Sequence, residues 1–382
     1  MSPKFMSRLD QIGETSCECG PGCCGMTEEK NLGRENDLAT LRKARWITGW
    51  ITSGAGSIPV VSTTMTSRDR LGHWRVRWGI GRMRYLVPPG LYAVGAPDAW
   101  SPVFVSASFK LSFDVLRTSL DGMNGWILVL DTKGINVWCA AGKGTFGTDE
   151  LVRRIEETGL TRVVSPRTLV LPQLGAPNVA AHEVAKRSKF RVVYGPVRAG
   201  DIKAFMDAGM KATPEMRLVR FGLKDRLVLT PVELSGVIRN KFFLGFVLAW
   251  ALGLLGVQFL RLDGPAIFGA IIVGTILTPA LLPWIPGRAF AGKGGLLGLL
   301  WAALVIVYRG FPPSSVAGWA AVLSYVFILP AISAFLAMSF TGSSTYTSLS
   351  GVVKEMKTAV PLIAASTVLG IAATAALLFL KG

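Results

Sequence analysis

The sequence predicts a Rossmann-like α/β domain followed by an all-α transmembrane domain of five helices. Three observations lead there. From Pro102 to Ala208, short apolar runs alternate with helical stretches, the pattern of parallel strands joined by crossover helices. Five apolar stretches follow Lys241. The charge is also divided between two unlike regions. The 382 residues include 41 Lys and Arg against 24 Asp and Glu, a net charge of +17, yet half the residues are hydrophobic and mean hydropathy is +0.43. From Arg239 onward only nine basic and two acidic residues occur, so the front part holds +10 and the apolar back part +7. These numbers exclude intrinsic disorder, a secreted disulfide mini-protein and a purely cytosolic enzyme.

In chain order, residues 1–30 read as a mobile tail, residues 31–238 as a cytoplasmic α/β domain and residues 239–382 as the transmembrane domain. The tail has no apolar core of the signal-peptide kind, so the α/β domain is expected in the cytoplasm. It carries Cys17, Cys19, Cys23 and Cys24, whose spacing fits neither a zinc knuckle nor a ferredoxin cluster. Thiolates suit soft metals, so these four form a candidate soft-metal thiol site, weighed against incidental cysteines in an unstructured tail. The basic, aromatic run Arg70–Tyr85 reads as a strand, with Trp74, Val76, Trp78 and Ile80 on one face and Arg75 and Arg77 on the other. Its arginines would face lipid headgroups or a phosphate-bearing ligand.

The α/β pattern then gives a strand at Val103–Ser106, a helix at Leu111–Leu120 and a buried strand at Trp126–Asp131. Helices are expected at Asp149–Thr158, Val179–Lys186 and Ile202–Ala208, with short strands at Leu169–Leu171 and Arg191–Tyr194. Ligands of such sheets bind beyond the carboxyl ends of the strands. The loop after Asp131 is therefore the candidate site.

The apolar stretches run over Phe242–Leu260, Pro265–Trp284, Gly294–Tyr308, Val316–Phe340 and Ala359–Leu380. Four reach the length of about 20 residues that a crossing needs, and the third is short. Five crossings place Arg239, Lys241, Arg288, Lys293, Lys354 and Lys357 inside against Arg261, Arg309 and Lys381 outside, as the positive-inside rule requires. This puts the C-terminus outside. Ionisable residues are nearly absent from the stretches, and Gly, Ala, Ser and Thr suit close helix packing, so the region reads as an anchor. Pro279, Pro283, Pro330 and Pro361 read as ordinary kinks.

Three readings compete for the loop from Asp131 to Glu150. Gly142, Gly144 and Gly147 match the spacing of a dinucleotide fingerprint, but ten residues separate them from the strand that should lead straight into it. Cys139 alone reads as a small buried residue. Local helix chemistry gives the third reading: Asn136 caps a short helix over Val137–Ala141, Gly142 stops it, and Cys139 falls at the third position, where the helix start favours a thiolate. Lys143 adds positive charge. Such a thiolate suits a soft metal better than acyl transfer, because neither His73 nor His182 has an orienting motif.

The run Asn136-Val-Trp-Cys-Ala-Ala-Gly-Lys143 resembles the cap-helix motif of the mercury-methylating corrinoid protein (HgcA) family, a methyltransferase related to corrinoid iron–sulfur proteins. The similarity continues through Pro89–Tyr92, Ser101–Phe104, Val129–Ile135, Gly144–Gly147, Leu171–Gly175 and Gly195–Arg198. The resemblance implies a cobalamin-type corrinoid held base-off, with Cys139 as the lower axial ligand to cobalt and no metal cluster in the chain itself. Around it the resemblance places Thr132, Gly134, Asn136, Val137, Trp138, Ala140, Ala141, Gly142, Lys143, Gly144, Thr145 and Gly147 as cofactor contacts. It also implies a folate-linked methyl donor, a small ferredoxin-like reductant with two [4Fe–4S] clusters (HgcB-type), and Hg(II) as methyl acceptor. A thiolate opposite the methyl group supports its transfer to an electrophile such as Hg(II) better than a neutral imidazole does. The +10 of the front part then matches anionic membrane lipid, a corrinoid phosphate and an acidic electron donor, rather than nucleic acid. Two other classes are set beside this: a membrane-tethered NAD-dependent oxidoreductase using Gly142–Gly147, and a metal-binding membrane sensor or transporter.

Overall fold

The computed structural model describes residue 39 and residues 41–241, 243–245, 247, 248, 258–343 and 349–381. The four cysteines of the tail lie outside the described residues, as does most of the first apolar stretch.

Seven strands form one mixed sheet: β1 (Ile47–Ser53), β2 (Gly56–Val61), β3 (Gly90–Val94), β4 (Val103–Ala107), β5 (Gly125–Leu130), β6 (Thr168–Leu171) and β7 (Arg191–Tyr194). Their spatial order is β1-β2-β3-β5-β4-β6-β7. The strands β5, β4, β6 and β7 pair in parallel, whereas β1 with β2 and β3 with β5 are antiparallel. The parallel strands and the expected helices sit within one or two residues of the positions read from the sequence. The β1–β2 hairpin and β3 extend the sheet beyond the alternating region.

Helices cover both faces. On one side, α2 (Lys110–Ser119) brings Phe113 and Leu116 against Phe104, Ile127 and Val129. On the other, α4 (Thr148–Glu157) and α5 (Ala181–Ser188) bring Leu151, Ile155 and Val184 against Val105, Leu128 and Leu169. Every residue of β5 is buried, as a strand covered on both faces requires. Between these helices lies the short α3 (Val137–Gly142), and α6 (Ile202–Asp207) closes the α/β alternation.

The expected strand at Arg70–Tyr85 is instead a helix, α1 (Ser67–Arg77), followed by a single 3-10 turn at Arg82–Arg84. Its cause is a capping box. The Thr66 hydroxyl accepts from the Asp69 amide at 3.1 Å, and the Asp69 carboxylate takes the Thr66 amide at 3.1 Å. The apparent alternation of Trp and Arg is the accident of a helix carrying both types all along its length.

Asp69 also enters a buried ionic cluster that ties α1 to α2. Arg117, fully buried, donates from Nε to Asp114 Oδ1 at 2.7 Å, from Nη2 to Asp69 Oδ2 at 3.1 Å, and from Nη1 to the Thr64 carbonyl at 2.8 Å. Lys110 Nζ donates to Asp114 at 2.6 Å and to Asp69 at 3.3 Å, and His73 Nε2 lies 2.9 Å from Asp114 Oδ2. Each buried charge is thus matched by opposite charge and hydrogen bonds, the condition for tolerating such a cluster.

After two short helices, α7 (Leu223–Leu227) and α8 (Thr230–Ile238), the chain becomes apolar and helical. Among the described residues four helices are long and apolar enough to cross a membrane, by length and composition: Gly264–Leu281, Phe290–Tyr308, Val316–Ser339 and Gly351–Leu380. The stretch expected to be short begins earlier than the apolar pattern suggests, at Phe290, and reaches 19 residues. Gly294 and Gly298 let that helix approach its neighbour. A Cβ on Gly294 would meet the Ser333 carbonyl at 2.6 Å, and one on Gly298 would meet Pro330 Cα at 2.6 Å. Pro330 and Pro361 lie inside helices, while Pro279 follows a π-helical turn at Val273–Leu277.

The sheet region meets one end of these helices. Phe221 packs with Leu229 against Leu282, Phe290 and Phe340. Arg226, buried, donates from Nη1 to the Ala280 carbonyl at 2.6 Å and lies over the Trp284 ring.

Candidate functional site

The chain leaves the central strand β4 for β5 on one side, then crosses back over β4 to β6 on the other. That reversal opens a crevice between the carboxyl ends of β4 and β6, the usual ligand position in such sheets. A cavity of about 360 Å³ lies there. Phe104 and Ser106 of β4, Leu171 at the end of β6 with Pro172 after it, and Gly195–Val197 after β7 line it. Leu111, Ser112 and Val115 of α2 close one side, and Asn136, Val137 and Trp138 close the mouth. The lining is mainly apolar with a few hydroxyls, a composition suited to a flat organic group.

The loop after β5 places the mouth residues. Thr132, buried at the strand's end, receives the Ser108 hydroxyl within 3.2 Å and donates its own to the Ile135 carbonyl at 2.6 Å. The Ser108 Oγ also accepts the amides of Thr132 at 3.1 Å and Gly134 at 3.3 Å. Gly134 has φ of 71°, and a Cβ there would lie 2.3 Å from Leu86 Cδ2, so the turn requires glycine. Asp131 anchors the turn's start. Burial alone would raise the pKa of its carboxyl, but hydrogen bonds from the Lys133 side chain and amide, with the charges of Lys133 and Arg154, hold it below the ordinary carboxylate value.

The turn ends in α3. Asn136, extended at φ −64° and ψ 161°, caps it by accepting the Cys139 amide on Oδ1 at 2.9 Å. Cys139 occupies the third helical position, one residue beyond the cavity-lining Trp138. Its thiol is free and half-exposed. The stop lies two residues later than expected: Gly142 is the last helical residue, Lys143 is the C-cap, and Gly144 takes the left-handed conformation at φ 85°.

Of the residues that the resemblance assigns to cofactor contact, Asn136, Val137 and Trp138 line the cavity. Thr132 and Gly134 shape the turn beneath them. Ala140 and Ala141 face the core, while Gly142, Lys143 and Gly144 are exposed. Thr145 is half-buried and its hydroxyl faces the Ala140 carbonyl. Gly147 abuts Asn178, whose Nδ2 donates to the Phe146 carbonyl at 3.2 Å and so ties the loop to the segment after β6. The run Gly142–Gly147 joins α3 to α4 rather than a strand to a helix, so it lacks the geometry of a dinucleotide fingerprint. The loops after β6 and β7 carry the resemblance at Leu171–Gly175 and Gly195–Arg198 but are not among the cofactor contacts expected from it, and the hydroxyls of Ser106 and Ser112 are not either. Their signal was position: Leu171–Gly175 and Gly195–Arg198 each follow the carboxyl end of a parallel strand. Among the described residues no group of three His, Cys, Asp or Glu side chains is placed to hold a metal ion.

Residues 82–206 match the family model of the CO dehydrogenase/acetyl-CoA synthase delta subunit. The match spans β3 to α6, and so contains the whole cavity. The chain is similar to the acetyl-CoA decarbonylase/synthase complex subunit gamma of Archaeoglobus fulgidus, 34% identical over 123 residues, or 32% of this chain and 26% of the relative. The Methanocaldococcus jannaschii subunit gamma is 38% identical over 92 residues, 24% of this chain and 19% of the relative. That of Methanopyrus kandleri is 31% identical over 123 residues, 32% and 26% of the two chains. The chain therefore spans about a quarter or less of the length of these relatives.

Proposed function

We propose that the chain is a membrane-anchored corrinoid-dependent methyltransferase that uses Hg(II) as methyl acceptor. The observation that supports the reading is a free, half-exposed Cys139 on a helix whose cap Asn136 and first two residues, Val137 and Trp138, line the cavity between β4 and β6, Cys139 itself being the next residue along. The match of residues 82–206 to the CO dehydrogenase/acetyl-CoA synthase delta subunit family, with the similarity to acetyl-CoA decarbonylase/synthase subunits gamma, supports one-carbon chemistry, since decarbonylating an acetyl group yields a methyl group and a carbonyl.

The residues present fit a base-off corrinoid. A cavity of about 360 Å³ with apolar walls takes a flat aromatic base and its sugar, and Cys139 supplies one soft donor suited to a transition metal. When bound, the corrinoid supplies a cobalt centre that accepts and releases a methyl group. Asn136, Val137 and Trp138 hold the cysteine's backbone at the mouth, and Ser106 and Ser112 offer hydroxyls to polar atoms of the buried group. Lys143, exposed beside the helix, offers positive charge to a phosphate.

The apolar helices would cross the cytoplasmic membrane with the sheet region on the cytoplasmic side and the C-terminus outside. A small ferredoxin-like reductant with two [4Fe–4S] clusters and a folate-linked methyl donor complete the proposed cycle, and Cys17, Cys19, Cys23 and Cys24 are proposed to deliver Hg(II). The reading is tested by supplying the purified full chain with cobalamin, a strong reductant, a methyl donor and Hg(II). It predicts methylmercury formation that is lost in Cys139→Ala. A purified chain that takes up nicotinamide dinucleotide and no corrinoid would establish the oxidoreductase reading instead.

A further inference from the structure

An exposed apolar stripe runs along α1. Leu71, Trp74 and Trp78 fall three and four residues apart on one side, and Leu71 and Trp74 are 55% and 56% exposed. Arg70 and Arg77 flank the stripe on one edge and Arg75 on the other. Among the described residues none of these three arginines has an acidic partner within ion-pair distance, in contrast to the fully matched charges buried beneath them. Across a groove of about 420 Å³, α7 contributes Leu223, Leu227 and Lys224. Asp225 of α7 is engaged by Arg198 at 2.7 Å. The face is thus apolar at its centre and cationic at its rim.

Its place in the fold indicates what covers it. Arg239, at the end of α8, donates to the carbonyls of Trp78 at 3.1 Å and Gly79 at 3.2 Å. Three residues later the chain enters its first apolar stretch. On the other side of α7, Arg226 holds the carbonyls of Pro279 and Ala280, at the end of one long apolar helix. The face is continuous with the ends of helices able to cross a membrane. Tryptophan is favoured at that depth because its ring is apolar and its N–H polar, and arginine there meets acidic phosphate.

We propose that the face formed by α1 and α7 docks on the acidic phospholipid headgroups of the bilayer and fixes the sheet region against it. This rests on the membrane reading above. An interfacial helix gains from its apolar stripe and from cations near an acidic surface, each arginine being worth about a fivefold change in occupancy.

The test uses the full chain in lipid nanodiscs of phosphatidylcholine alone, or of phosphatidylcholine with phosphatidylglycerol, and reads amide hydrogen exchange over residues 67–85. Exchange should slow several-fold in the acidic discs. The difference should vanish in R70Q/R75Q/R77Q and fall with added salt. Equal exchange in the two discs would overturn the proposal, as would the same protection from inorganic phosphate in neutral detergent. Retention of the chain in alkali-washed vesicles separates the two readings. A chain that is not retained contradicts the membrane reading, whereas a retained chain with equal exchange contradicts the docking face alone. R70Q/R75Q/R77Q alters side chains that do not line the cavity between β4 and β6 and should leave corrinoid binding unchanged.

Discussion

The side chain of Asn136 accepts the backbone N–H of Cys139 at 2.9 Å, which makes the residue that starts α3 the one that orients its cysteine. Asn136→Ala removes the cap and should cost about 1 kcal/mol of stability. If the cap also positions the thiol, the visible spectrum of a bound corrinoid shifts with it, and Asn136→Asp restores both properties. Thermal unfolding and absorption on the same samples check this. A stability loss with an unchanged spectrum would leave Asn136 as a cap only.

The ionic cluster between α1 and α2 makes a second prediction. Arg117→Met strips two buried carboxylates of a partner, and leaving buried charge unmatched costs about 3–5 kcal/mol. Denaturant unfolding of the full chain should show the loss in the sheet region. Replacing Asp114 by Asn together with Arg117 by Met should cost less than the sum of the single changes, because both charges then leave.

The same cluster sets an acid limit. Burial alone would raise the pKa of Asp114, but the hydrogen bond with His73, the charge and hydrogen bonds of Lys110 and the charge of Arg117 outweigh it and hold the carboxyl below its ordinary 3.8. Asp69 is likewise buried, yet Lys110, the Thr66 hydroxyl and amide, and Arg117 keep it below 3.8. A carboxylate lowered on folding contributes stability that is complete above its unfolded value and is lost as pH falls through the folded one. Unfolding followed by circular dichroism should show stability dropping as pH falls below about 4, with a shallower slope in Asp114→Asn.

Filling the cavity isolates ligand binding from folding. Ser112 lies half-buried on α2 at the cavity wall, and Ser112→Phe would project a ring into the space. Corrinoid affinity measured by absorption titration should fall at least about tenfold, equivalent to 1.4 kcal/mol. The melting temperature of the ligand-free chain should change little, because the ring enters open volume rather than packed core. Unchanged affinity would place the ligand elsewhere.

The parallel strands and their helices were legible because each buried strand is a short continuous apolar run bounded by turns, as at Trp126–Asp131. The cap helix was legible because Asn136 is a strong local signal. At Arg70–Tyr85 the side-chain alternation misled, and the decisive residues were Thr66 and Asp69, a capping pair just before the run. The cavity was legible only at its mouth. Its walls come from β4, β6, β7 and α2, and which of these lie side by side depends on the strand order β5-β4-β6, which no local pattern encodes. The late stop of α3 follows from Gly144 rather than Gly142 taking the left-handed turn, a choice between two glycines that propensity alone does not make.

The most direct test of the account is the visible spectrum of cobalamin bound to the full chain and to Cys139→Ala. The account predicts a base-off, thiolate-ligated spectrum in the parent chain and its replacement by a water-ligated or unligated spectrum in the variant. The same spectrum in both would show that Cys139 does not bind cobalt and would contradict the central claim.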